Sequence, residues 1–226
     1  MFAVVKKELK SYLLSPIGYI FMGLFLLIFS IFFYIDIFAF QSMNFEYLFG
    51  NGATILTFVV PLLTMRMFSE ERKNGTEQLL LTSPRSITSV VVGKLIAASL
   101  VILITEIFTL IYFGILSYFG KPSFTVALST LFGFFLLSVA YISFGMFASS
   151  LTENQIVAAV ITICSFLAMW FIPYVVEIFN VFSLITAFEP FILGIISLES
   201  VITFVSFSLM CILLTIITLQ RRKSVK

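Results

Sequence analysis

Few side chains in this 226-residue sequence can do chemistry, and many of those that can are gathered in one place. Arg66, Glu70, Glu71, Arg72, Lys73, Glu77, Arg85 and Lys94 form a charged island between two long apolar runs. There is no His, which removes His-dependent triads and most zinc sites. Cys164 and Cys211 fall inside apolar runs, as small core residues do, and indicate no disulfide framework. No Gly-x-Ser-x-Gly elbow occurs, and no Asp pair faces across the apolar segments. Gly93-Lys94-Leu95 lacks the upstream Gly and the hydroxyl residue of a phosphate loop, so the chain has no nucleotide site of its own. No metal ligand set and no catalytic constellation stands out. What the island offers is a polar surface for docking a partner.

The elements that must carry the island are apolar. The chain is 61% hydrophobic and 11% charged, with 29 Phe. A soluble domain carries about 25% charged residues. Runs of 18 or more apolar residues read as membrane spans, since about 20 helical residues cross the ~30 Å hydrocarbon core. The expected fold is therefore an all-α polytopic membrane protein, a single transmembrane domain over 1–226, with no soluble domain and no internal repeat. Six transmembrane helices are expected, near 17–40, 53–68, 95–119, 124–150, 156–174 and 200–220. The first run is of full span length with no small-x-small cleavage pattern after it, so it reads as a span rather than a cleaved leader.

Residues 1–15 precede the first span. Their apolar positions 2, 5, 9, 12 and 13 share a helical face, and Lys6, Lys7 and Lys10 lie off it. That is the pattern of an amphipathic helix lying in the membrane interface. In the six-span arrangement 12 of the 13 Lys and Arg fall on one side, and only Lys121 falls opposite. Basic loops stay inside, so both termini are expected to be cytoplasmic. Residues 174–199 are apolar but hold Glu177, Glu189, Pro190, Gly194 and Glu199. A crossing there would put the basic C-terminus outside. Two short helices broken near Glu189-Pro190, entering and leaving on the outer side as a re-entrant hairpin, satisfy the charge rule.

Within 68–94, Asn74-Gly75 signals a turn. Thr76 can cap a short helix through about Leu81, Ser83-Pro84 ends it, and Ser86 can cap the next helix, which feeds through Gly93-Lys94 into the third span. Glu106 lies mid-way along the third span, where a carboxyl is costly and faces protein or water. Ser99 and Thr109 share its face. A neutral carboxyl in a helix interface and a residue lining a substrate path both fit.

The island Ser69-Glu-Glu-Arg-Lys-Asn-Gly-Thr-Glu-Gln-Leu-Leu-Leu-Thr-Ser-Pro84, followed by Gly93-Lys94, resembles membrane subunits of ABC-2 type ABC transporters. Lys7-Glu8-Leu9 with Ser15-Pro16-Ile17-Gly18-Tyr19 is similar to the gliding-motility, GldF-like branch. Phe188-Glu189, Phe191 and Gly194-Ile195-Ile196 match a third segment, and Ser149 to Gln155 a fourth. The third segment usually begins Ser-Pro, whereas this chain has Ser183-Leu184.

The resemblance implies a permease subunit of an ATP-driven exporter in a cell membrane, a bacterial inner or plasma membrane. It would pair with a second permease copy or paralogue and with an ABC ATPase subunit. ATP and magnesium would be held by that ATPase, and no cofactor by this chain. An accessory subunit is compatible, nucleic acid is not implied, and the lipid bilayer is the solvent. Glu70, Glu71, Arg72, Gly75, Thr76, Glu77, Leu79, Leu80 and Pro84 would form the cytoplasmic coupling helix region. Lys6, Lys7, Glu8 and Lys10 would form the interface helix beside it. Glu106, Glu189 and Gly194 become pathway or gate candidates, with 174–199 as the outer gate. The alternatives are a non-catalytic assembly or sensory membrane protein docking a cytoplasmic partner through the same loop, and a membrane-embedded enzyme.

Overall fold

The computed structural model describes residues 2–38, 45–77, 86–120, 122–175 and 183–225. Among these, the regular structure is helical: α1 (Phe2–Leu14), α2 (Pro16–Phe38), α3 (Phe45–Thr64), α4 (Ser69–Lys73), α5 (Ile87–Phe119), α6 (Phe124–Leu151), α7 (Gln155–Val175), α8 (Glu189–Ile192) and α9 (Leu198–Val225). Helices satisfy their own backbone, as a lipid solvent demands.

Five helical stretches are long and apolar enough to cross a membrane: Pro16–Ile37, Phe45–Lys73, Ile87–Tyr118, Phe124–Leu151 and Leu198–Arg222. The remaining expected span falls on α7, whose described apolar stretch, Gln155–Phe171, is shorter. One boundary differs from expectation. The second span begins at Phe45 rather than 53, because Gly52 is a helical contact against Phe134 and not a break. The helix that carries the third span begins at Ile87, where the cap at Ser86 was expected to start it, and runs on through Gly93 and Lys94. Ser86 caps it, accepting a hydrogen bond from the Ser89 amide at 3.3 Å. Lys94 is therefore inside a helix.

The bundle is built around α3 and α6, whose spans are 67% and 61% buried, against 22% for α2 and 28% for α9. Helix α6 touches α3, α5, α7, α8 and α9. Lipid tails are as apolar as these side chains, so close packing rather than water exclusion holds such helices together. Phenylalanines do much of this. Phe49 meets Phe134 edge-on at 4.9 Å, Phe29 meets Phe49 at 5.3 Å, and Phe25 stacks on Phe29 at 5.7 Å. Two buried hydroxyls along α6 are satisfied by bonding back along their own helix: Ser138 donates to the Phe134 carbonyl and Ser143 to that of Val139, each at 2.8 Å. Between α2 and α5, Ser30 Oγ and the Tyr112 hydroxyl sit 2.6 Å apart.

The segment before α9 corrects the expected break at Glu189-Pro190. Helix α8 begins there, with Pro190 in its first turn, where the missing amide hydrogen costs nothing. A turn follows at Leu193-Gly194, where Gly194 adopts φ +81°, a left-handed conformation that side chains resist. Phe191 is fully buried against Gly133 of α6, and its carbonyl accepts from Thr130 Oγ1 at 3.1 Å. The expected first half of this hairpin includes 176–182, outside the described residues.

Candidate functional site

The charged island folds onto the bundle end that also holds α1 and the C-terminal end of α9. Helix α4 follows a turn at the end of α3, and Ser149 of α6 organises it. Ser149 Oγ accepts from the amides of Phe68 and Ser69, both at 3.1 Å, and donates to the Met65 carbonyl at 3.0 Å. These are the free amides of a helix start, supplied with an acceptor from another helix.

Lys94 is the centre of the site. It is 3% exposed, and its ammonium lies 2.8 Å from Glu71 Oε1 and 3.3 Å from Glu8 Oε2. One buried cation thus joins α5, α4 and α1. The geometry needs α1 pressed onto α5, and Gly93 allows it: a Cβ there would come within 2.9 Å of Val4 Cγ1. Glycine at 93 and lysine at 94 are two halves of one contact. Lys94 also lies 5.3 Å above the Phe68 ring, a favourable cation–π distance.

Two further ion pairs close the site. Arg72 Nε reaches Glu153 Oε1 at 2.7 Å and its Nη1 donates to the Leu151 carbonyl at 3.3 Å, tying α4 to the α6–α7 connection. Arg222 of α9 meets Glu77 at 3.2 Å. The island's charges therefore largely face inward. Its exposed stretch among the described residues is Lys73, Asn74, Gly75 and Thr76, with Gly75 in a left-handed turn at φ +71°. Thr76 Oγ1 donates back to the Glu71 carbonyl at 3.1 Å, closing the end of α4. The helix expected from Thr76 to Leu81, with Leu79, Leu80 and Pro84, falls outside the described residues beyond Glu77.

Helix α1 lies with Lys6, Lys7 and Lys10 exposed and Val5, Glu8, Leu9, Tyr12 and Leu13 half-buried. Phe2 and Leu14 are largely exposed, apolar ends suited to an interfacial helix. The Tyr12 hydroxyl points at the Leu63 carbonyl, 3.5 Å away. Burial pushes its pKa up, and the charges of Glu8, Glu71 and Glu70 add to the shift, so the phenol stays neutral and able to donate.

The pathway and gate candidates are not brought together with this cluster. Glu106 is buried, 7% exposed, among Phe21, Phe25, Leu56 and Phe134. Its Oε1 has no hydrogen-bond partner. Ser99 and Thr109 spend their hydroxyls on backbone carbonyls, at 2.9 and 2.6 Å. Glu189 is exposed at the start of α8, and Gly194 sits against Val126.

Sequence reasoning placed Lys94 in a motif but missed its role as the hub, and missed Glu153 and Arg222 as partners. The signal available was only that buried lysines need acids, with nothing to say which.

The chain, over residues 2–220, matches the family described as ABC-2 family transporter protein. It belongs to that family. Among curated proteins none matches it. As an ABC-2 transporter membrane protein it is a multi-pass permease component. The charged cluster lies in the same 69–94 stretch whose motif resembles the family, so the motif has a structural content: it is the pairing of α4 and α5 with α1.

Proposed function

We propose that this permease is one half of an ATP-driven exporter, with six spans, both termini cytoplasmic and 68–94 as the segment that receives motion from a separate ATPase subunit. ATP and magnesium belong to that ATPase. A second permease copy or paralogue completes the path, and 174–199 forms the outer gate. The observation that carries the reading is the buried Lys94 held by both Glu8 and Glu71. A push on α4 is passed to α5 and α1 without slack, because separating any of them leaves a buried charge unpaired.

This arrangement changes which residues meet the ATPase. Glu71 and Arg72 act inside the permease. The exposed turn Lys73–Thr76, with Leu79 and Leu80 beyond it, is the docking surface. Co-expression with an ATPase subunit encoded beside this chain tests the reading. Lys73→Glu with Leu80→Ala should lower the co-purified ATPase about tenfold, since few anchors carry most of an interface's energy. Wild-type recovery of the ATPase in that variant refutes the docking surface, and failure of any ATPase to pair with the wild type refutes the coupling.

A further inference from the structure

A cavity of about 260 Å³ lies between α1 and the turn that joins α3 to α4. Its walls carry both signs of charge, Lys7, Arg66 and Lys94 on one hand and Glu8, Glu70 and Glu71 on the other, together with the apolar Leu63 and Met67; Glu8 and Lys94 are already paired with each other.

Two groups in it are unfinished. Arg66 Nε is buried without a hydrogen-bond partner, and no carboxylate among the described residues forms an ion pair with Arg66. Glu71 spends Oε1 on Lys94, while its Oε2 is buried and unpaired. A buried donor or acceptor without a partner is costly, and more so when charged. A plain anion would satisfy Arg66 but meet Glu70 and Glu71. A plain cation would satisfy the acids but meet Arg66 and Lys7. A small zwitterion satisfies both.

The location says where the zwitterion comes from. Arg66 lies two residues past the end of α3, at the charged end of the apolar stretch Phe45–Lys73, and α1 has the composition of an interfacial helix. The cavity is therefore at head-group depth. We propose that it binds the phosphoethanolamine head group of a membrane phospholipid, with the phosphate on Arg66 and Lys7 and the ammonium on Glu71 Oε2 and Glu70. The lipid's glycerol end would lie along Leu63 and Met67. The assignment rests on the chain's place in a membrane, not on its coupling to an ATPase. A choline head group is trimethylated and cannot donate hydrogen bonds to the carboxylates. A glycerol head group has no cation.

The test is lipid retention by the purified permease alone. The protein is taken from nanodiscs holding equal amounts of phosphatidylethanolamine, phosphatidylcholine and phosphatidylglycerol, and bound lipid is counted by native mass spectrometry. Phosphatidylethanolamine should be retained about tenfold over either of the others. Arg66→Gln and, from the other wall, Ser11→Trp should each abolish the preference. Ser11 is exposed, so its variant keeps the test open if Arg66→Gln fails to fold. Equal retention of the three lipids, or preference for phosphatidylglycerol, overturns the proposal. So does an unchanged preference in Ser11→Trp. Soluble phosphoethanolamine at the lipid's concentration should not displace it; displacement would mean that a free solute fills the site. Loss of lipid on adding the ATPase would assign the cavity to a protein side chain instead. The permease–ATPase pairing is measured separately, so its failure leaves this result standing.

Discussion

Arg222 Nη1 lies 3.2 Å from Glu77 Oε1, joining the C-terminal end of the last span to the end of the charged island. The same guanidinium donates through Nη2 to the Ser150 carbonyl at 2.6 Å. One arginine thus holds α9, the end of α6 and the island together. Arg222→Ala should destabilise more than Glu77→Gln, because it removes the carbonyl contact as well. Hydrogen bonds to charged groups are worth about 1.5–3 kcal/mol, and partial solvent access lowers that here. Detergent-unfolding midpoints of the two variants decide it; equal midpoints would mean that the carbonyl contact is idle.

Lys94→Met should be the most damaging single change in the cluster. It leaves Glu8 and Glu71 facing each other without a cation, and breaking a buried pair costs about 3–5 kcal/mol. Adding Glu71→Gln to Lys94→Met should recover part of the loss, since the uncompensated charge goes with it. A double variant no more stable than Lys94→Met alone would show that Glu71 takes up a proton once Lys94 is gone, leaving no buried charge to relieve.

Gly93→Ala should lift α1 from α5. Its Cβ would come within 2.9 Å of Val4 Cγ1, and overpacking costs about 1–3 kcal/mol. Val4→Ala should rescue it, because the clash is with that side chain. Thermal unfolding of the single and paired variants in nanodiscs measures both effects. Additive losses, with no rescue, would place the strain elsewhere.

Tyr12 makes stability fall in alkali. In the unfolded chain the phenol ionises near its ordinary value of 10.0, and in the folded protein burial and the nearby acids raise that value. The folded state then holds a proton that the unfolded state has lost, so this contribution is present below pH 10 and declines as pH rises past it. Tyr12→Phe should flatten the decline above pH 10. An identical alkaline slope in Tyr12→Phe would remove Tyr12 as its source.

Orientation can be read by labelling in a background where Cys164 and Cys211 are replaced. A cysteine at Thr76 should be closed to a membrane-impermeant reagent in intact cells, and one at Phe124, at the opposite end of the bundle, should be open. Both positions are exposed, so accessibility of the residue itself does not limit either reaction. The reverse pattern would invert the topology.

The apolar runs and the clustering of basic residues sufficed for a helical membrane protein with one polar end. Span length and the cost of unpaired backbone in lipid are local constraints, so a sequence displays them. The turn at Asn74-Gly75 and the cap at Ser86 were legible for the same reason. Local signals misled at Glu189-Pro190, where proline opens a helix rather than breaking one. Helix–helix contact decided the rest. Glu71, Arg72 and Glu77 look like charges offered to solvent, yet each meets a partner from a distant part of the chain: Lys94, Glu153 and Arg222. Which acid meets which base depends on how α1, α4 and α9 lie against α5 and α6. That depends on packing at sites such as Gly93 and Ser149, where a missing side chain or a single hydroxyl sets how two helices meet. Pairing across such distances has no period or spacing in the chain, so only the tertiary structure could assign it.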